Sequence, residues 1–268
     1  MNLPRKWIKP LARAGYSARG LVYVIIGLFA LLAAFGAAES KDSEGALEKL
    51  LQQPFGTLLI WVLIVGLAGY VLWRLVQSLF DTDDHGHGPK GLAVRGGLLA
   101  SAFTYSALAL FALSLLGVTS ANSETDSGGL AGALAGFVSS HWISLALAVI
   151  FSGVAAAHFR KAWTRRYQDH FEASGDAMKF IDPISIIGLT ARGIIFIIIA
   201  ILFVYRFLNA ETGSGGNADT PGLKDALEFI RDLPAGTWLL AAIGLGLIAF
   251  AAYSFIEAWW RRINVEDA

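Results

Sequence analysis

Two arginines are the residues of this chain whose type and position best suit binding chemistry. Arg19 and Arg192 each follow an alanine and precede a glycine, at the start of a long apolar run. A guanidinium group offers a planar fork of donors that matches phosphate and carboxylate oxygens. We therefore predict that these arginines bind an anion such as a lipid phosphate. Two structural roles stay open for them, namely snorkelling to the headgroups and capping of helix carbonyls.

Other polar and aromatic residues recur at related positions near the same ends of the apolar runs. The further candidates for ligand or anion binding are Arg13, Arg95, Tyr23, Ser101 and Tyr105. Tyr23 follows Arg19, and Tyr105 follows Ser101, by one turn of a helix. Such side chains could line a central cleft. The alternative is hydrogen bonding between helices, which contributes about 0.6–2 kcal/mol per pair in membranes.

The stretch DTDDHGHGPK is the weak candidate for a metal site. Its potential ligands are Asp83, Asp84, His85 and His87. Two histidines two residues apart in a glycine-rich stretch have no fixed helical geometry, so a solvated turn is favoured. We therefore predict no metal and no cofactor. The chain has no cysteine, which excludes disulfides, thiol nucleophiles and cysteine-bound metal clusters.

The elements that must position these residues are membrane helices. Only 16% of the residues are charged and the mean hydropathy is +0.57, whereas soluble domains carry about 25% charged residues. About 20 apolar residues are needed to cross the roughly 30 Å of bilayer hydrocarbon. Apolar stretches lie at about 20–38, 55–73, 96–118, 142–157, 193–205 and 235–256. We predict an all-α polytopic membrane protein with six transmembrane helices, the first of them a permanent span and not a cleaved signal.

The distribution of basic residues predicts how the chain crosses the membrane. Sixteen of the 21 lysines and arginines fall before the first span, after an even-numbered span or at the start of an odd-numbered one. Basic residues stay on the cytoplasmic side. We expect a multi-pass protein of the cell inner membrane with both termini cytoplasmic. The zero net charge predicts no nucleic-acid partner, and the expected partners are membrane lipids with anionic headgroups.

Internal repeats connect the six spans. The segment YSARGLVYVIIGLFALL is echoed by LTARGIIFIIIAILFVY, and PFGTLLIWVLIVGLAGY by PAGTWLLAAIGLGLIAF. We interpret the chain as one membrane domain, 1–268, with two-helix repeats at 11–80, 92–163 and 184–260 and cytoplasmic linkers at 81–91 and 164–183. Three parallel copies are related by an axis along the membrane normal. The sequence thus predicts a pseudo-threefold bundle.

The repeated pattern R-x-G…A-R-G-x-x-Y/F also carries a family resemblance. It resembles the bacterial and archaeal membrane proteins grouped as domain of unknown function 1206. The middle unit departs from the pattern, because Ser101 stands where the other units have the second arginine. The resemblance implies a six-span membrane protein and brings no established activity.

The absence of catalytic signatures shapes the functional prediction. The apolar centres of the six stretches hold no aspartate, glutamate, lysine, arginine or histidine, and no common nucleophile or phosphate-binding motif occurs. We predict a non-catalytic membrane protein, not an enzyme, that binds lipid or another apolar amphiphile or acts as an assembly partner. The alternative is a passive channel or facilitator along the pseudo-threefold axis. A membrane enzyme is the weakest of the three hypotheses.

Overall fold

The computed structural model describes residues 8–82, 86, 88–118, 140–173, 175–209 and 223–263. Within these ranges the chain forms eight α-helices and a single 3-10 turn, Gln168–His170. The helices are α1 (Ile8–Ala34), α2 (Ser43–Leu51), α3 (Gly56–Phe80), α4 (Pro89–Leu115), α5 (Ser140–Thr164), α6 (Gly175–Asn209), α7 (Leu223–Asp232) and α8 (Gly236–Trp260).

Six of these helices are long and apolar enough to span a bilayer. They are α1, α3, α4, α5, α6 and α8, and the prediction of six transmembrane helices is confirmed. Most of them extend beyond the apolar stretch that identified them. For example, α1 begins at Ile8, about three turns before Arg19, and its first turns hold the exposed Lys9 and Arg13 and the buried Ala12.

Two short helices lie in the connections opposite the chain termini. Asp42 caps α2, its carboxylate accepting a hydrogen bond from the Gly45 backbone nitrogen at 2.9 Å. Along α2, Ala46 and Leu47 are fully buried. The equivalent apolar face of α7, formed by Ala226, Leu227 and Ile230, is also buried, so both short helices are packed into the bundle.

Matching turns join each short helix to the long helix that follows. Phe55 and Ala235 precede α3 and α8 with φ values of 63° and 62°, in the left-handed region. Any side chain on the next residue, Gly56 or Gly236, would collide with a carbonyl of the preceding helix. Glycine is therefore required at both positions, and the first and third predicted units share this local geometry.

The long helices surround a common centre in the order α4, α3, α1, α8, α6, α5. Neighbours are antiparallel, as the pairings of Gly15 with Tyr70 and of Gly188 with Phe250 show. We call the end where α1, α4 and α6 begin the basic end of the bundle. At the two extremes of the order, α4 and α5 make no extensive contact within the described residues. The order places the helices of the first and of the third predicted unit side by side, and the repeat and its axis stay a prediction.

Candidate functional site

A polar cavity of about 250 Å³ lies between the six long helices, toward the basic end. Each helix contributes at least one polar side chain to its lining: Arg19, Arg74, Ser101, Lys161, Arg192 and Glu257. Arg19 and Glu257, the outermost of the six along the chain, are separated by 238 positions and meet only because the ring of helices brings them together. The cavity is therefore the candidate functional site.

Arg19 is the most completely satisfied cation in this cavity. Its side chain is buried, with only 3% of the residue exposed. Its Nε atom donates to the Ser254 hydroxyl at 3.0 Å and one Nη atom donates to the Tyr70 hydroxyl at 2.9 Å. The other Nη atom forms an ion pair with Glu257. Burial among these partners favours a structural ion pair over snorkelling to the headgroups for this arginine.

Glu257 is the carboxylate around which the basic side chains collect. One of its oxygens faces Arg19. The other accepts from Arg261 at 2.8 Å and from the Tyr253 hydroxyl at 3.0 Å. The Lys161 Nζ atom lies 3.8 Å from that second oxygen. A single buried carboxylate is thus shared by three cations, and the residue is only 1% exposed.

Arg192 occupies the position in α6 that corresponds to Arg19 in α1, and its surroundings are different. Its guanidinium carbon lies 4.5 Å from the ring centroid of Phe250, 5.1 Å from that of Tyr23 and 5.2 Å from that of Phe196. Aromatic faces attract a cation without neutralising its charge. Among the described residues, its buried Nε atom has no hydrogen-bond partner. Arg192 therefore keeps donors and charge for a ligand.

The cavity holds an excess of positive charge. Arg74 donates to the hydroxyl of Tyr70 and to the Gln77 side chain at 2.9 Å, and Lys161 donates to the Tyr253 hydroxyl at 2.6 Å. These hydroxyl and amide partners are neutral, and the only carboxylate near Lys161 in the described lining, that of Glu257, is also shared by Arg19 and Arg261. Among the described lining residues, four basic side chains face one carboxylate. Unpaired charge inside a membrane protein is costly and marks functional positions, so this imbalance favours an anion in the cavity.

Two pairs of aromatic rings pack beside the cavity, and each pair joins a lining residue, Tyr70 or Phe250, to a residue outside the lining, Tyr105 or Tyr23. Tyr105 packs edge-on against Tyr70, with ring centroids 4.6 Å apart, and Tyr23 packs edge-on against Phe250 at 4.9 Å. Tyr23 and Tyr70 each lie one helical turn farther from the basic end than the arginine of the same helix, Arg19 and Arg74 respectively. Tyr105 and Phe250 lie more than two turns farther from that end than Arg95 and Arg261. Tyr23 and Tyr105, which the sequence predicted to line a cleft, thus pack against lining residues and are not in the lining themselves.

The remaining residues that the sequence suggested for ligand binding lie in different places in the structure. Ser101 lines the cavity, whereas Arg13 is exposed and lies outside the lining. Arg95 binds the last carbonyls of α3, donating to the Ser78 oxygen at 2.6 Å and to the Leu79 oxygen at 3.1 Å. This is the helix-capping role that the sequence left open for the arginines.

The weak metal candidates Asp83, Asp84, His85 and His87 lie outside the described residues. In the part of the chain that is described, no cluster of three potential metal ligands occurs.

Sequence reasoning missed Glu257, Arg74 and Lys161 as members of the site, because all three lie just beyond the ends of the apolar stretches. One signal was available in the sequence. Tyr253, Glu257 and Arg261 are spaced four residues apart, which places them on one face of a helix. An acidic residue one turn from a tyrosine and an arginine, at the end of an apolar run, indicates a polar cluster inside the bundle.

Residues 165–173, the part of the predicted linker that the structure describes between α5 and α6, contact residues 260–262 at the end of the last span. Phe171 forms an isolated antiparallel bridge with Arg261, whose guanidinium reaches Glu257. The Glu172 backbone nitrogen donates to the Trp260 carbonyl at 2.8 Å. Nearby, burial and the negative charge of Asp182 raise the pKa of Tyr167 to about 12. The linker is thus an ordered part of the site's surroundings.

Six bilayer-length apolar helices around an internal charged cavity define a multi-pass α-helical membrane protein. The sequence profile of the family described as Domain of Unknown Function (DUF1206) matches the chain twice, at residues 14–81 and 187–261. The chain belongs to this family. The two matches fall on the first and third predicted units and omit the middle unit.

A relative in Bacillus subtilis (strain 168), described as "Uncharacterized protein YxxB", is similar along its length. The two sequences are 30% identical over 274 residues, which cover 98% of this chain and 94% of the relative. No solved structure matches the chain.

Proposed function

We propose that this protein is a non-catalytic inner-membrane protein that binds an anionic amphiphile. The phosphate or carboxylate of the ligand would occupy the cavity, and its apolar part would remain in the surrounding hydrocarbon. The observation that carries the proposal is the charge imbalance of the cavity, where four basic side chains face a single carboxylate among the described residues.

The cations of the cavity have different roles in this proposal. Arg19 is held by Tyr70, Ser254 and Glu257, so it serves to fix the geometry of the site. Arg192 contacts three aromatic rings and retains an unpartnered Nε atom among the described residues. Since guanidinium donors bind phosphate and carboxylate in a forked geometry, we assign the main ligand contact to Arg192. Arg74 and Lys161 contribute further positive charge.

The predicted orientation places the cavity near the cytoplasmic leaflet. That leaflet carries a negative surface potential from anionic lipids, which attracts clustered basic residues. The basic end of the bundle would then lie at the depth of those headgroups. Both the location of the ligand and its charge follow from this orientation.

Binding explains the cavity better than passive conduction does. A channel would need a continuous polar passage between the two ends of the bundle. Instead, the ring pairs Tyr70–Tyr105 and Tyr23–Phe250 pack beside the cavity. The cavity offers donors and positive charge, and the proposal requires no chemical step on the ligand.

Native mass spectrometry on delipidated protein tests the proposal. We expect the wild type to bind phosphatidylglycerol more tightly than the zwitterionic phosphatidylcholine. The Arg192→Gln variant should bind phosphatidylglycerol roughly tenfold more weakly, because a charge-assisted hydrogen bond contributes about 1.5–3 kcal/mol and about 1.4 kcal/mol is a factor of ten.

The matched control is Arg160→Gln. Arg160 precedes Lys161 on α5, is exposed, and does not line the cavity. The control removes the same charge from the same end of the bundle. If both variants lose phosphatidylglycerol binding equally, the effect comes from surface charge in general and not from the cavity. Unchanged binding in Arg192→Gln would refute the proposed function.

A further inference from the structure

Corresponding glycines in the three hairpins have different surroundings. In the first and third hairpins, a side chain on Gly15 or Gly188 would stand 2.5 Å from backbone atoms of the partner helix, at Tyr70 and Phe250 respectively. Gly97 holds the corresponding position in the middle hairpin. A side chain there would meet no atom within 4 Å. At these glycines the two helices of the first and third hairpins are in close contact, and the two helices of the middle hairpin are not.

The facing helix shows the same opening. Gly153 on α5 is exposed, and a side chain added to it would also meet no atom within 4 Å. Both α4 and α5 line the cavity, through Leu98 and Ser101 on one side and Val154 and Ala157 on the other. The cavity is thus bounded on one side by two helices that make no extensive contact with each other among the described residues, and we call the space between them the gap.

We infer that this gap is a lateral port through which the acyl chain of an anionic lipid leaves the cavity and enters the bilayer. The inference rests on the proposed function, since it specifies how that ligand is held. The gap is bounded by the candidate spans Pro89–Leu115 and Trp142–Thr164. What faces an opening between two membrane spans is hydrocarbon, and no aqueous route is needed for an acyl chain to occupy it.

An amphiphile needs charged groups for its headgroup and apolar side chains for its acyl chain, and the cavity with its gap offers both. The lining carries the guanidinium groups of Arg192 and Arg74 and the ammonium group of Lys161. On α4 and α5 the lining also includes the apolar side chains of Leu98 and Val154, together with Gly97, where a side chain would meet no atom within 4 Å. A free soluble anion would use only the charged groups. A lipid uses both, with its headgroup on the cations and its chain between α4 and α5.

The open glycine allows the port to be blocked without disturbing the packing of the bundle. Gly97→Leu adds a branched side chain at a lining position where the Cβ atom itself would meet no atom within 4 Å. Gly96→Leu is the matched control. Gly96 also has nothing within 4 Å, is the adjacent residue on α4, and does not line the cavity. Successive residues of a helix point about 100° apart, so this control adds the same bulk on another face.

The experiment uses phosphatidylglycerol with a photoreactive diazirine on one acyl chain, in nanodiscs containing the full chain. We expect cross-links on α4 and α5 in the wild type and in Gly96→Leu. In Gly97→Leu the cross-links and the retained phosphatidylglycerol should fall at least fivefold. If Gly97→Leu fails to show a wild-type thermal transition, Ala157→Leu blocks the same gap from α5 and replaces it.

Water-soluble glycerol phosphate, added to the wild type, distinguishes a lipid from a free anion. It should fail to displace the labelled lipid at a hundredfold excess, because it lacks the chain that fills the port. Displacement at equal concentration would overturn the port and point to a soluble anion. Unchanged lipid binding in Gly97→Leu, with loss of binding in Arg192→Gln, would overturn the port and leave the proposed function standing. Unchanged binding in both variants would overturn both.

Discussion

Replacing Glu257 with glutamine keeps the shape of the side chain and removes the negative charge at the centre of the cavity network. Arg19, Arg261 and Lys161 all lie within 4 Å of its carboxylate oxygens. In the variant these cations face one another without a counter-ion. We expect the folded protein to lose stability, because uncompensated buried charge is strongly unfavourable.

The size of this loss follows from the burial of the group. Glu257 is 1% exposed and Arg19 is 3% exposed, so solvent screens their interaction little. Removing one partner of a buried ion pair costs about 3–5 kcal/mol. Glutamine still accepts hydrogen bonds through its amide oxygen, which places the expected loss near the lower limit. For a chain of this size, about 3 kcal/mol corresponds to a decrease of roughly 6–12 °C in the melting temperature.

Thermal unfolding in detergent measures this effect, with Glu172→Gln as the matched control. Glu172 pairs with Arg262 at 3.3 Å on the surface, where both side chains are more than half exposed. Neutralising such a surface pair changes stability by at most about 1 kcal/mol. Adding phosphatidylglycerol should stabilise Glu257→Gln more than the wild type, because the ligand's negative charge then replaces the missing carboxylate.

Two outcomes would refute this reasoning. Equal melting temperatures for Glu257→Gln and Glu172→Gln would show that the carboxylate does not hold the surrounding cations. A large loss of stability without any differential rescue by phosphatidylglycerol would show that the ligand site and the ion network are separate.

Further predictions concern packing and orientation. Gly188→Ala should lower the stability of the fold by about 1–3 kcal/mol, because its methyl group would stand 2.5 Å from the Phe250 backbone nitrogen. Gly153→Ala is the control and should not be destabilising, because its methyl group would meet no atom within 4 Å. Similar melting temperatures for the two variants would contradict the close packing at Gly188. Since the chain has no cysteine, single cysteines test orientation by labelling with an impermeant maleimide. Gln53→Cys should react in intact cells and Arg166→Cys only after permeabilisation, and reaction of both in intact cells would overturn the orientation.

The two arginines of the repeated segment show how far the sequence could lead toward the site. Their common motif predicted a common role in anion binding. In the fold, Arg19 meets Glu257 and Tyr70, whereas Arg192 meets the rings of Tyr23 and Phe250. The difference arises because α1 lies between α3 and α8, whereas α6 lies between α8 and α5. A motif specifies a residue's place on its own helix, and the neighbouring helix decides its partner.

The sequence by itself determined that this chain is a six-span helical membrane protein, because hydrocarbon requires long apolar helices that satisfy their own backbone hydrogen bonds. It also indicated the glycines and arginines that recur at span ends. Only the tertiary structure decided that Arg19 pairs with a carboxylate 238 residues away and that α4 and α5 stay apart. Those features depend on the order of helices around the bundle, and side-chain contacts between distant segments, which no local pattern encodes, set that order.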